Sequence, residues 1–172
     1  MICAAILVMA AAPVRAQQVT YDYSRSVDFT GYKTYSWGVS TPTGDAMTDE
    51  RIVDAIEAQL AASGLVKVAP GAEPDVEVSY TAAVARRLVV TASSTGWAGR
   101  PAAAGRWGTA STSQVYTGAL GVEIRDARNG TAVWHGIVSR DLDLNANPAK
   151  RERNLNKAVE KLFRHYPTRE RH

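Results

Sequence analysis

Between residues 48 and 62 the apolar positions follow a helical period. Ile52, Val53, Ile56 and Leu60 recur three and four apart and make one apolar face. Thr48 stands where an N-cap is expected, and Asp49 and Glu50 put negative charge at the positive end of the dipole. Gly64 is the expected left-handed stop. A second helix is predicted after Asn147, its cap, with Pro148 at the first helical position, where proline is tolerated. Leu155, Val159, Leu162, Phe163 and Tyr166 line one face of it, and Arg151, Arg153, Lys157, Lys161 and Arg164 line the others. Pro167 ends this helix, and residues 168–172 form a charged tail.

The period changes to two elsewhere. Residues 21–25 and 32–37 are short, aromatic and alternating, and read as two strands with Asp28, Thr30 and Gly31 near the turn between them. Residues 40–45 are a loop by their Pro and Gly. Residues 65–68 make a short strand, closed by Pro70, Gly71 and Pro74. Val76, Val78, Tyr80, Ala82 and Val84 then alternate with Glu77, Ser79, Thr81 and Ala83, a strand with one buried and one wetter face. Leu88 to Val90 continues it beyond Arg86 and Arg87, with a bulge expected between. Residues 116–125 and 131–141 flank Asn129-Gly130, a strong short hairpin signal. Asn129-Gly130-Thr131 is formally a glycosylation sequon as well, and the turn reading is preferred.

Residues 93–113 have no period. They are Gly, Ala, Ser and Thr with Trp97, Arg100, Arg106 and Trp107, and read as a long, flexible, exposed loop. The predicted order is β-β-α-(β)-β-loop-β-β-α. That order implies an α+β fold, an antiparallel β-sheet with two α-helices on one face.

The first sixteen residues are of another kind. Residues 2–12 form an apolar run too short to span a bilayer as a helix, which takes roughly 20 residues. It matches the core of a secretory signal peptide, with Pro13 breaking it and Ala16 before the cut. Residues 1–16 are therefore expected to be a signal peptide and residues 17–167 a single exported domain. Only Met1 and Ile2 precede Cys3, with no Lys or Arg, so the true start is expected upstream. Cys3, the sole cysteine, lies before the apolar run rather than after it, so a lipid anchor through Cys3 is not expected and it is lost with the signal. The expected location is the periplasm or the exterior, with contact to a membrane peripheral at most.

Charge adds little. The 20 basic residues less Arg15 leave 19 against 17 acidic ones. That excess is too mild for a nucleic-acid partner.

Four stretches resemble a known family. They are residues 21–37 (YDYSRSVDFTGYKTYSW), residues 74–80 (PDVEVSY), residues 118–136 with GALGVEIRD and VWHG, and residues 157–167 (KAVEKLFRHYP). Their order is similar to that of the exported bacterial proteins classed as domain of unknown function 4136. The resemblance implies an α+β envelope domain, in a family whose members are often lipoproteins; the misplaced Cys3 departs from that. It implies no catalytic residue.

Motif chemistry is sparse. There is no Gly-x-Ser-x-Gly, no phosphate loop and no Gly-x-Gly-x-x-Gly. No catalytic, cofactor or metal residue is assigned, and no cofactor is expected. His135 alternates with Val133 and Ile137 and is read as a structural histidine on their shared face; His165 and His172 lie at or past a helix end. Asp126, Asp141 and Asp143 are read as solvated acids at hairpin ends rather than a glycosidase pair. Two candidate surfaces remain: the basic face of the last helix, read as a solvated face rather than a contact for anionic lipid or polymer, and Trp97, Arg100, Arg106 and Trp107 in the 93–113 loop, a composition typical of recognition hot spots. The expected function is a non-enzymatic binding or structural module that contacts an envelope protein or an anionic surface polymer through that loop. The alternative is an exported hydrolase with an unrecognised active site near His135.

Overall fold

Helix formation follows the two periodic segments closely. In the computed structural model, which describes residues 17–94 and 108–167, α1 spans Ala46–Ala62 and α2 spans Pro148–Phe163. The Asn147 side chain caps α2 by accepting from the Lys150 N–H at 2.8 Å. For α1 the cap is Asp45, not Thr48; Thr48 lies inside the first turn and its hydroxyl donates to Asp45 at 2.5 Å. Gly64 takes the left-handed conformation after α1, with φ at +85°.

Six strands make one sheet: β1 (Gln18–Tyr23), β2 (Thr34–Trp37), β3 (Val66–Lys67), β4 (Val76–Ser94), β5 (Gly108–Asp126) and β6 (Ala132–Leu142). The spatial order is β1-β6-β5-β4-β2-β3. The pairs β1–β6, β6–β5 and β5–β4 are antiparallel, but β2 runs parallel to both β3 and β4. The sheet is therefore mixed, not antiparallel as expected. The first two strands are the reason: rather than pairing with each other, β1 joins β6 and β2 joins β4 on the far side. Between them the chain crosses the sheet end through a single 3-10 turn at Phe29–Gly31. Asp75 fixes the start of the parallel pair. Its carboxylate accepts from the Lys33 and Thr34 N–H groups and from the Thr34 hydroxyl, each at 2.9 Å.

The core lies on one face of the sheet. Ile52, Ile56 and Leu60 from α1 and Val159, Leu162 and Phe163 from α2 meet Val76, Val78, Val122, Ile124 and Trp134 in one buried cluster. At Gly136 a Cβ would lie 2.6 Å from Leu162 Cδ1 and 2.9 Å from the Trp134 ring, so glycine lets α2 approach β6. An aromatic group joins β6, α2 and the 3-10 turn: Trp134 packs on Phe163 and Tyr166, and Tyr166 meets Phe29 edge-on with centroids 5.6 Å apart.

Both ends of the expected loop at 93–113 are strand. β4 and β5 pair without a break in register from Val76↔Asp126 to Ser94↔Gly108, so residues 93–94 and 108–113 belong to the ladder and no bulge follows Arg87. Small and hydroxyl residues hid this, since Thr109, Ser111, Thr112 and Ser113 give no apolar alternation while still fitting a pleated strand. The expected signal peptide, the tail at 168–172, and Trp97, Arg100, Arg106 and Trp107 all lie outside the described residues.

Candidate functional site

Two partners flank the β4–β5 pair over its first half and then stop. On the β4 side, β2 ends its ladder at Trp37↔Val78, and one further bridge joins Thr41 to Thr81. On the β5 side, β6 reaches Tyr116↔Leu142. β4 thus has an open edge from residue 83 onward, while β6 still flanks β5 opposite residues 83–86; residues 87–94 and 108–115 then run on as a two-stranded ribbon, without a third strand among the described residues. At about 3.4 Å per residue, the eight residues 87–94 extend roughly 27 Å.

Alternation continues into the ribbon while its cover does not. Val78 is fully buried under the helices, but on the same face Val84 is 60% exposed, Leu88 57% and Val90 64%. β4 carries Arg86 and Arg87 here, both exposed, whereas residues 108–118 of β5 hold no charge. The ribbon leads into residues 95–107, the segment that contains the four predicted site residues.

Backbone polarity at the ribbon edges can be read from the base. Gly38 and Thr41 N–H donate to the Val78 and Tyr80 carbonyls at 2.8 Å, and Ala82 N–H donates to the Thr41 carbonyl at 3.0 Å. Even-numbered residues of β4 thus turn their backbone groups toward the β2 side, and odd-numbered ones bond to β5. Beyond Ala82, the N–H and C=O groups of Val84, Arg86, Leu88 and Val90 face an edge that no described strand occupies. By the same register Thr112 and Gln114 turn theirs to the opposite edge, past the end of β6.

The other candidates are placed differently from their sequence reading. His135 does not share a face with Val133. A register shift between Ile124 and Arg125 leaves Val133 as an extra residue on β6, so Val133 and Trp134 are both buried. His135 and Ile137 instead lie on the sheet face away from the helices, His135 exposed and level with Asp22 and Glu123 on the neighbouring strands. His165 stacks on Tyr21, centroids 4.1 Å apart, beside the end of α2.

Asp126 is not a solvated acid. It is buried at 5% exposure and is the one buried charged side chain among the described residues. Arg128 donates to both its oxygens, at 3.1 and 2.7 Å, and Tyr32 donates its hydroxyl at 2.8 Å. The Arg128 bonds, joined by the Arg128 N–H and by Tyr32, hold its carboxyl well below the usual carboxylate range. Burial, helped by Asp126, pushes the Tyr32 phenol up to about 12. The group locks the β5–β6 turn, where Gly130 sits at φ +68°, to the crossing that follows the 3-10 turn. Asp141 and Asp143 lie at the other end of the sheet: Asp141 accepts from Thr117, nine residues and roughly 30 Å along β5 from Asp126. Asp126 therefore cannot pair with either of them.

Clefts among the described residues include two. One, of about 750 Å³, is bordered by Tyr116, Arg140, Asp143, Leu144 and Lys150; the other, of about 430 Å³, by Phe29, Tyr32, Lys33 and Tyr166. Neither holds a histidine. Among the described residues no group of three His, Cys, Asp or Glu side chains is placed to hold a metal ion, and no helix is long and apolar enough to cross a membrane.

Comparison with known proteins agrees with this fold. A PDZ domain protein from Parabacteroides distasonis matches at a TM-score of 0.57 and 15% identity, over 90% of this chain; the chain spans 37% of that protein. PelC from Paraburkholderia phytofirmans, a dodecamer, matches at 0.57 and 13% identity, over 90% of this chain and 100% of that one. A DUF4136 family protein from Bacteroides thetaiotaomicron matches at 0.54 and 12% identity, over 88% and 96%. At these identities the likeness is one of fold. No curated protein matches the sequence. The family model for the domain of unknown function DUF4136 matches residues 19–168, nearly the whole of the described fold, and the chain belongs to that family.

Proposed function

We propose that this domain is a non-enzymatic module of the bacterial envelope that works by contacting a protein through its projecting β4–β5 ribbon. The observation that carries the reading is the exposure of Val84, Leu88 and Val90 on a ribbon that outruns the rest of the sheet. A two-stranded hairpin on its own is marginal in water and gains stability from a third strand or a covered face. Exposed aliphatic side chains beside Arg86 and Arg87 offer such a face to a protein. Trp97, Arg100, Arg106 and Trp107 follow in sequence at the far end of β4 and would extend the contact. The dodecameric state of the PelC structures, which share the fold, is consistent with a domain whose surface serves protein contacts. Export to the periplasm or exterior follows from the apolar run at residues 2–12.

The test is site-specific photo-crosslinking in intact cells, with the reactive residue at Leu88 or, as control, at Ser79 on the opposite face of the sheet base. Protein adducts are expected at position 88 and not at 79. Absence of any protein adduct at 88 overturns the reading. If the chain instead binds an immobilised acidic polysaccharide, and Trp97→Ala/Trp107→Ala abolishes that, the surface belongs to a polymer.

A further inference from the structure

The ribbon has two open edges, one on β4 and one on β5, and they differ. Resting on the reading of the ribbon as a protein-contact surface, we propose that its partner is a second copy of this chain. The β4 edge of one copy adds to the β5 edge of the next, so that the sheet continues from copy to copy.

Three observations favour this pairing. First, the open edges present main-chain donors and acceptors: Val84, Arg86, Leu88 and Val90 on one side, Thr112 and Gln114 on the other. A strand is the ligand that satisfies such a row, as in strand addition to an exposed sheet edge. Second, charge selects the combination. Two β4 edges paired across a two-fold axis would bring Arg86 and Arg87 of each copy together, and like charges opposite each other in a ladder are unfavourable. A β5 edge has no charged residue between 108 and 118, so the arginines meet Ser, Thr and Gln there. Third, a two-fold pairing of either edge with itself leaves the other edge open on both copies. The β4-to-β5 pairing covers both edges of every copy within a closed assembly. It is also head-to-tail, so it leads beyond a dimer, to a ring if the rotation closes and to a filament if it does not.

The alternation of backbone direction supplies the experiment. Leu88→Pro removes an outward N–H from the β4 edge while leaving the odd-numbered bonds to β5 intact, and proline is tolerated where the strand N–H faces outward. Thr112→Pro does the same to the β5 edge. The mature full domain is measured by native mass spectrometry and sedimentation, with far-ultraviolet circular dichroism and thermal midpoint confirming that each variant is folded. The wild type is expected as an assembly larger than a dimer, and each proline variant as a monomer. An equimolar mixture of the two variants is expected to form a 1:1 heterodimer, since one retains the β4 edge and the other the β5 edge. If a proline variant does not fold, Thr112→Lys/Gln114→Lys replaces it and is expected as a monomer, since its lysines would face Arg86 and Arg87 of the next copy; adding Arg86→Glu/Arg87→Glu to the same chain is expected to restore the assembly, and failure to restore it overturns the pairing. A mixture that stays monomeric overturns the edge-to-edge pairing. A monomeric wild type overturns self-association. If that monomer still gives protein adducts at position 88, the protein-contact reading survives; if it gives none, both fall.

Discussion

Val78 and Leu88 lie ten residues apart on one strand, on the same face of the sheet and in the same unbroken ladder with β5. Val78 is fully buried; Leu88 is more than half exposed. What separates them is not their own pairing but what lies beside and above it. At Val78 a parallel strand flanks the pair and two helices cover it. At Leu88 the flanking strands have ended. Hydrogen-bonded pairing thus extends beyond hydrophobic cover, and strand length alone is a poor guide to the size of a core. The base contributes stability through burial, and the distal half contributes reach.

That contrast can be broken from the base outward. The largest effect is expected for Leu162→Ala, where α2 closes on Trp134 and Gly136: a fully buried leucine truncated in a packed core costs about 2–5 kcal/mol. Urea unfolding followed by tryptophan fluorescence measures it, and a loss under 1 kcal/mol would mean that the base is not the stabilising half.

Asp126→Asn comes next. It removes a buried charge bonded to Arg128 and Tyr32, and a loss of about 1–3 kcal/mol is expected at neutral pH. The carboxyl has a folded-state pKa below its ordinary value of 3.8, so it favours the folded state whenever it is ionised. Its contribution is complete above about pH 5 and fades as the pH falls through 3.8 toward the depressed folded value. The stability gap between wild type and variant should therefore narrow between pH 7 and pH 3; an unchanged gap would remove the charge from the explanation.

The smallest effect is expected on the ribbon. Leu88→Ser should change monomer stability by no more than about 0.5 kcal/mol, as is usual for an exposed position. Comparable losses for Leu88→Ser and Leu162→Ala would erase the distinction between the two halves.

The sequence carried the local features well and the distant ones poorly. Both helices are legible because the period and caps are written within each segment; Asn147 and Pro148 mark the start of α2 as expected. The α1 cap was displaced to Asp45 because Asp45 and Thr48 can each cap, and only the chain path chooses between them. Asn129-Gly130 marked its turn for the same local reason. The partners of β1 and β2 were not legible, because two neighbouring aromatic strands look like a hairpin until residues over a hundred positions away are known to compete for β1. The parallel pairing of β2 was missed with it. Val133 was placed on the face of His135 because strict alternation cannot reveal an extra residue. Burial of Asp126 depends on Tyr32, 94 residues away, and no local signal indicates it. Of the candidate surface, the composition marked the Trp/Arg segment at 95–107 but not the ribbon that leads to it, whose Ser and Thr residues read as loop.

The pairing of β1 with β6 bears on the order in which the fold can be completed. β1 is the first described strand, and its ladder partners run from Trp134 to Ser139, beyond every other strand of the sheet. A growing chain holds β1 without its native neighbour until about 115 further residues have been made, while β4, β5 and the first helix can already associate. Pairing at such sequence separation is slow to form, because the loop must close before the contacts return any energy. Pairing of β1 is therefore expected late in folding, together with the docking of α2, and the aromatic strand with Tyr21 and Tyr23 stays without its native neighbour until β6 arrives.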